Sequence, residues 1–157
     1  MNFKLEKEKL IRIASHCINC ISHLQPSLRR GVRTRARQLF EVLEYQGLAY
    51  LFAYVGGKAT ERALREMYIS MCKDGEPSEI AKELDSIRRR YGLSDEDASY
   101  GLYGASLMCV IAKIMNEDFS KRSLEELIYN YGFNKIVRKI TYEVARWLKF
   151  LAEAKLT

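Results

Sequence analysis

Two prolines, two histidines and nine glycines among 157 residues leave little material for linkers, and no internal repeat or low-complexity tract is present. The chain reads as one domain, long enough for a sizeable core and too short for two comfortable ones. Long apolar runs are also scarce. The charge-free stretch Ala98 to Ala112 stops at Lys113, short of the roughly 18 to 20 residues that cross a bilayer. A protein without a membrane span is expected. The opening segment Met1-Asn2-Phe3-Lys4-Leu5-Glu6-Lys7 mixes both charges and lacks the apolar stretch of a secretory signal. Its expected compartment is the cytoplasm, and the four cysteines are expected to be reduced thiols.

Acid is what the first forty residues lack most. Nine of them are Lys or Arg and only Glu6 and Glu8 oppose these, so the stretch carries +7 while the other 117 residues sum to −1. Arg29, Arg30, Arg33, Arg35 and Arg37 fall within nine positions with no acid among them. Mutual repulsion makes that density costly unless phosphates or solvent neutralise it. A polyanion such as RNA or DNA is the expected partner.

Nearly every long segment carries the helical period and none sustains the two-residue alternation of a half-buried strand, which predicts an all-α helical bundle of about six to eight helices. Leu10, Ala14, Cys17, Ile21 and Leu24 line a first helix that ends before Pro26. A second, from about Leu28 or Val32 to Tyr45, turns Val32, Ala36, Leu39, Phe40 and Leu43 inward and ends at Gly47. Leu48 to Val55 reads as a short apolar helix closed by Gly56-Gly57, and Ala59 to Lys73 as another. Pro77 opens a helix to Tyr91, with Gly92 as its left-handed terminator. The next helix, from Ala98 to Met115, has almost no polar face, and Gly101, Gly104 and Ala105 invite close approach, so it is expected at the centre. Ser94 with Asp97, and Ser123 with Glu126, are helix-start signatures.

The final segment, about Asn134 to Leu156, is amphipathic in a particular way. At 100° per residue, Lys135, Arg138, Lys139, Tyr142, Arg146 and Lys149 share an arc of about 100°, while Ile136, Ile140, Val144, Trp147, Leu148 and Leu151 lie opposite. Solvated helix faces usually intersperse both signs to gain pairs four residues apart. Here only Glu143 and Glu153 are available, off the centre of the stripe. On the second helix Arg29, Arg30, Arg33 and Arg37 share an arc if the helix begins early, Arg35 points elsewhere, and Glu41 and Glu44 are placed to pair with Arg37. These two groups of cations are the expected contacts to a phosphate backbone.

No catalytic constellation stands out. His16, Cys17, Cys20 and His23 have a composition that invites zinc, yet all lie on one helix, and a straight helix cannot wrap a tetrahedron. No metal or cofactor is expected. The only two histidines lack an orienting acid, so the chain reads as no enzyme. Gly56-Gly57-Lys58-Ala59-Thr60 lacks the glycine spacing of a phosphate-binding loop and follows no strand, although Lys58 near a helix start suits a backbone phosphate. Asp95, Glu96 and Asp97 suit a helix N-terminus, and Arg88-Arg89-Arg90 a helix C-terminus, through the macrodipole. Ten tyrosines offer rings for base stacking, though at helical spacing most read as core.

The segment from Arg33 to Tyr54 joins basic residues, an amphipathic helix, Gly-Leu and an aromatic apolar helix. Together with the ending Ala145-Arg146-Trp147-Leu148-Lys149-Phe150-Leu151-Ala152-Glu153-Ala154, it resembles the small subunit of the type III-B CRISPR effector, the Cmr complex. The specific matches cover about thirty residues, and Glu61 to Lys121 matches nothing in particular. The motifs concern packing, a character shared with small helical subunits of other multi-subunit CRISPR effectors. The resemblance implies a non-catalytic building block for antiviral defence that stacks in several copies along the guide and target RNA channel. Its implied partners are a polymerase-like large subunit, the backbone subunits and further copies of itself.

The expected RNA contacts are therefore Arg29, Arg30, Arg33, Arg37, Lys58, Lys135, Arg138, Lys139, Arg146 and Lys149. They would hold the backbone without reading bases, since a guide supplies discrimination by pairing. The rival expectation is a helical adaptor that binds an acidic protein surface without nucleic acid. A helix-turn-helix reader fits poorly, because Leu48 to Val55 is too apolar to enter a groove.

Overall fold

Residues 3–157 are described by the structure, a computed structural model; Met1 and Asn2, part of the opening segment read against an export signal, lie outside the described residues. Eight helices follow one another among the described residues, with no strand: α1 (Phe3–Ser22), α2 (Pro26–Gln46), α3 (Leu48–Ala59), α4 (Glu61–Cys72), α5 (Pro77–Arg90), α6 (Asp95–Met115), α7 (Leu124–Tyr131) and α8 (Lys135–Lys155). The accessible surface, 8042 Å², is close to the roughly 8,100 Å² that size scaling gives one folded domain of 18.2 kDa. One helical domain accounts for the whole described chain.

Local chemistry explains most of the boundaries. Pro26 occupies the first turn of α2, where its missing N–H costs nothing, so the helix starts earlier than Leu28 and carries Gly31 inside it. Gly47 stops it at φ +88°, and Gly92 ends the α5 segment at φ +61°, both left-handed positions that glycine tolerates. The hydroxyl of Ser94 accepts from the Asp97 N–H at 3.1 Å, and that of Ser123 from the Glu126 N–H at 3.1 Å. Glu61 adds a cap that local sequence does not announce, its carboxylate accepting the Leu124 N–H at 2.9 Å across the fold.

α6 is the axis of the bundle. Every residue from Ala98 to Ala112 is buried, and the helix packs against α1, α2, α3, α4 and α8. Taken whole, it is long and apolar enough to cross a membrane, but 83% of its most apolar window is buried inside the fold, which accounts for its hydropathy. A Cβ on Gly101 would sit 2.8 Å from the Ala59 Cβ and 2.9 Å from the Met67 Sδ; one on Gly104 would sit 2.9 Å from Val55 Cγ2. Small residues thus set the distance at which α3 and α4 pack on α6.

Three expectations are corrected. Gly56-Gly57 does not close α3, which continues to Ala59: Gly56 lies under Leu124, whose Cδ2 would be 2.7 Å from an added Cβ, so its smallness lets α7 dock. The chain turns instead at Thr60, at φ +73°, whose hydroxyl then caps α4 by accepting from the Ala63 N–H. The thiols are not all reduced, because packing of α4 on α6 brings Cys72 and Cys109 to a Cα separation of 5.5 Å in a disulfide. Cys17 and Cys20 stay free and buried, and burial raises the Cys17 thiol to about 12 and the Cys20 thiol to about 11. Finally, α8 buries Val137, Thr141, Val144, Ala145, Leu148 and Ala152, whereas Ile136 is 70% exposed and Ile140, Trp147 and Leu151 are half-buried. The apolar arc is wider than the seam that α1, α2 and α6 present to it.

Two stability outcomes follow. Gly101→Ala is expected to lose about 1–2 kcal/mol in urea denaturation, because overpacking against Ala59 and Met67 outweighs the gain in helix propensity. The double substitution Cys72→Ala, Cys109→Ala opens a loop of 37 residues and is expected to cost about 2–4 kcal/mol, with an unchanged denaturation midpoint contradicting the crosslink.

Candidate nucleic-acid interface

α2 sorts its cations by helical geometry. With Leu28, Val32, Ala36, Leu39 and Leu43 buried, Arg33 and Arg37 stand on the flank toward α8, Arg35 and Gln38 on the flank toward α3 and α6, and Arg30 between them. α8 supplies the other side of the first flank. Its Lys149 ammonium lies 5.4 Å from the centre of the Phe40 ring, and its Tyr142 hydroxyl donates toward the Leu43 and Glu44 carbonyls at 3.4 and 3.3 Å. The two predicted groups of cations therefore do meet, along the α2–α8 seam.

Glu153, expected off the centre of the α8 stripe, stands on it instead, five helical turns from Lys135, and meets these cations. Arg37 donates from Nε to its carboxylate at 2.9 Å, and this hydrogen bond, followed by the charges of Arg37, Lys149 and Arg33, holds the carboxyl below its ordinary value. Arg33, Arg37 and Lys149 thus all act on this acid. Arg33 contributes a buried Nε without a hydrogen-bond partner. The expected pairing of Arg37 with Glu41 or Glu44 is corrected: sequence proximity pointed along α2, while the folded chain offers Glu153 across the seam. Being solvent-exposed, the Arg37–Glu153 pair is weak and screened, which leaves it displaceable by a stronger anion.

The remaining predicted contacts are distributed unevenly. Arg138 stacks on the Tyr142 ring at 5.7 Å and belongs to the seam, while Arg30 and Lys135 are exposed. Arg29 is committed elsewhere, donating to the Leu24 carbonyl at 2.7 Å and closing the α1–α2 corner. Arg146 pairs with Glu143 at 2.8 Å, so this acid, placed off the stripe in the sequence, neutralises part of it. Lys139 lines a groove of about 370 Å³ with Glu6, Leu10, Ile114 and Ile140, bordered by Tyr142 and Glu143. Lys58 lies inside α3 rather than at a helix start, with its ammonium 5.6 Å from the Tyr100 ring and 5.7 Å from the Tyr54 ring.

Arg35, set aside in the sequence as pointing elsewhere, proves to be organised. Its guanidinium lies 4.5 Å over the Tyr100 ring and donates to the Tyr100 hydroxyl, which in turn donates to Gln38 Oε1 at 3.3 Å. Burial pushes the Tyr100 phenol up, but hydrogen bonds from Tyr54 and Arg35 and the Arg35 charge outweigh it, so the net shift is downward. A helical wheel of α2 says that Arg35 leaves the main arc; only the α2–α6 packing says what it meets.

Other charged clusters have internal partners. Arg88 and Arg89 pair with Asp85, and Arg90 with Glu66 at 2.8 Å. A groove of about 470 Å³ between α4 and α5 is lined by that pair and by Lys73 and Glu83, themselves 2.6 Å apart. Cys17 and Cys20 face the core while His23 faces solvent, and among the described residues no group of three His, Cys, Asp or Glu is arranged to hold a metal. No family model, no curated protein and no solved structure matches the chain.

The Glu153 environment gives a pH signature. A carboxyl depressed in the folded state stabilises above its ordinary value of 4.5, and that contribution is lost as pH falls below 4.5 through the folded value. Carboxyl-carbon NMR titration is expected to show Glu153 titrating low in the wild type and returning toward 4.5 in Arg37→Ala.

Proposed function

We propose that this protein is a non-catalytic, RNA-binding structural subunit of a type III-B (Cmr) CRISPR effector, holding the RNA backbone along the α2–α8 seam. The observation that carries the reading is the gathering of Arg33, Arg37 and Lys149, from two helices far apart in sequence, near the carboxylate of Glu153 that Arg37 bonds. Such a seam suits a phosphate chain. Its cations stand on an open helix seam, where contacts to phosphate oxygens position a strand without reading it, so binding by charge without sequence preference is the expectation.

Assembly needs protein-facing surface as well. Tyr129, Phe133 and Ile136 are 76%, 75% and 70% exposed along the α7–α8 corner, an apolar concentration of the kind that marks protein contacts. These residues support stacking against neighbouring subunits or further copies. The proposed compartment is the cytoplasm, where a disulfide such as Cys72–Cys109 is typical of hyperthermophiles rather than of mesophiles. The adaptor reading, an acidic protein in place of RNA, draws on the same cations.

Salt-dependent titration of labelled RNA separates the two. Each phosphate contact contributes a slope of about 0.7 in log affinity against log salt for a single strand, so Arg33→Ala, Arg37→Ala or Lys149→Ala is expected to flatten the slope by about that amount and weaken all sequences alike. Sequence-selective loss, or no RNA binding beside tight capture of an acidic protein, overturns the RNA reading. Purification of the tagged chain from its native cell is expected to bring down small RNA with the other effector subunits.

A further inference from the structure

We infer that the seam of α2, α3 and α6 is a stacking site for an unpaired nucleic-acid strand, with the Tyr50 ring as platform and Lys58 as the cation for the adjoining phosphate. The inference rests on the nucleic-acid reading above and narrows it to single strands. Tyr50, Tyr54 and Lys58 recur every fourth residue of α3 and so stand in a row on one face. The Tyr50 ring lies nearly parallel to that of Tyr54, 6.0 Å between centres and 20° between planes, and the residue is 48% exposed.

The row is anchored from below. Tyr54 meets the buried Tyr100 edge-on at 5.4 Å, and Tyr100 is fixed by Arg35 and Gln38. A platform held this way keeps its ring orientation before any ligand arrives, which lowers the ordering cost of stacking. Charge completes the match. Arg35 and Lys58 flank the rings, and the carboxylate nearest to Arg35, on Glu96, is 3.9 Å away and two-thirds exposed. An exposed aromatic face beside cations is what a single strand engages, bases on the ring and phosphates on the ammonium. A duplex keeps its bases stacked within the helix and offers only its backbone, so Tyr50 would gain nothing from it.

The test uses the full chain, labelled oligouridine, and the same strand annealed to its complement, followed by fluorescence anisotropy at low salt. Tyr50→Ala is expected to weaken single-strand binding by about 5-fold or more while duplex affinity is unchanged, and Tyr50→Phe is expected to retain single-strand binding. Tyr50 is half-exposed, so its truncation does not empty the core. Equal effects on both forms, or none on the single strand, overturn the inference and leave the backbone reading standing. A wild-type protein that binds neither form removes both.

Discussion

Burial of α6 on every side is the constraint from which the rest of the molecule follows. A helix whose residues from Ala98 to Ala112 all leave water must be surrounded, and α1, α2, α3, α4 and α8 do the surrounding. Their outward faces are then fixed by their inward ones. α2 can bury Val32, Ala36 and Leu39 only by turning Arg33 and Arg37 to one flank and Arg35 to the other. The basic surface is in this sense a by-product of how α2 satisfies the core, and it divides where α2 does.

Division of the cations gives the two flanks different chemistry. Toward α8 the seam is exposed and governed by charge, with Arg33, Arg37 and Lys149 acting on the carboxylate of Glu153. Toward α3 and α6 it is aromatic and partly desolvated: Arg35 and Lys58 lie against rings, with the Glu96 carboxylate 3.9 Å from Arg35. Screening by salt weakens the first strongly and the second less, since contacts shielded from solvent keep more of their strength.

Much of this was legible in the residues themselves. Helix count and order, the central place of the Ala98–Met115 segment, its small residues and the Ser94 and Ser123 caps follow from periodicity and capping chemistry. What escaped was tertiary. The run Gly56-Gly57 looks like a terminator until Leu124 is seen lying against it, and Cys72 looks isolated until α4 rests on α6. Within the site, the meeting of Arg33 and Arg37 with Lys149 was anticipated from two separate stripes. The place of Glu153 on the α8 stripe was open to the same helical count; which cations of α2 it meets, and the aromatic company of Arg35 and Lys58, depend on which helices neighbour which.

The crosslink between α4 and α6 has a topological meaning. It closes a ring of chain whose free arc is α5 with its two flanking turns. α5 packs against α4 and α1, and the Cys72–Cys109 bond holds α4 on the axis whether or not those contacts persist. Were α5 to fray, the crosslink would confine the loss to that segment and keep α4 on the centre of the bundle.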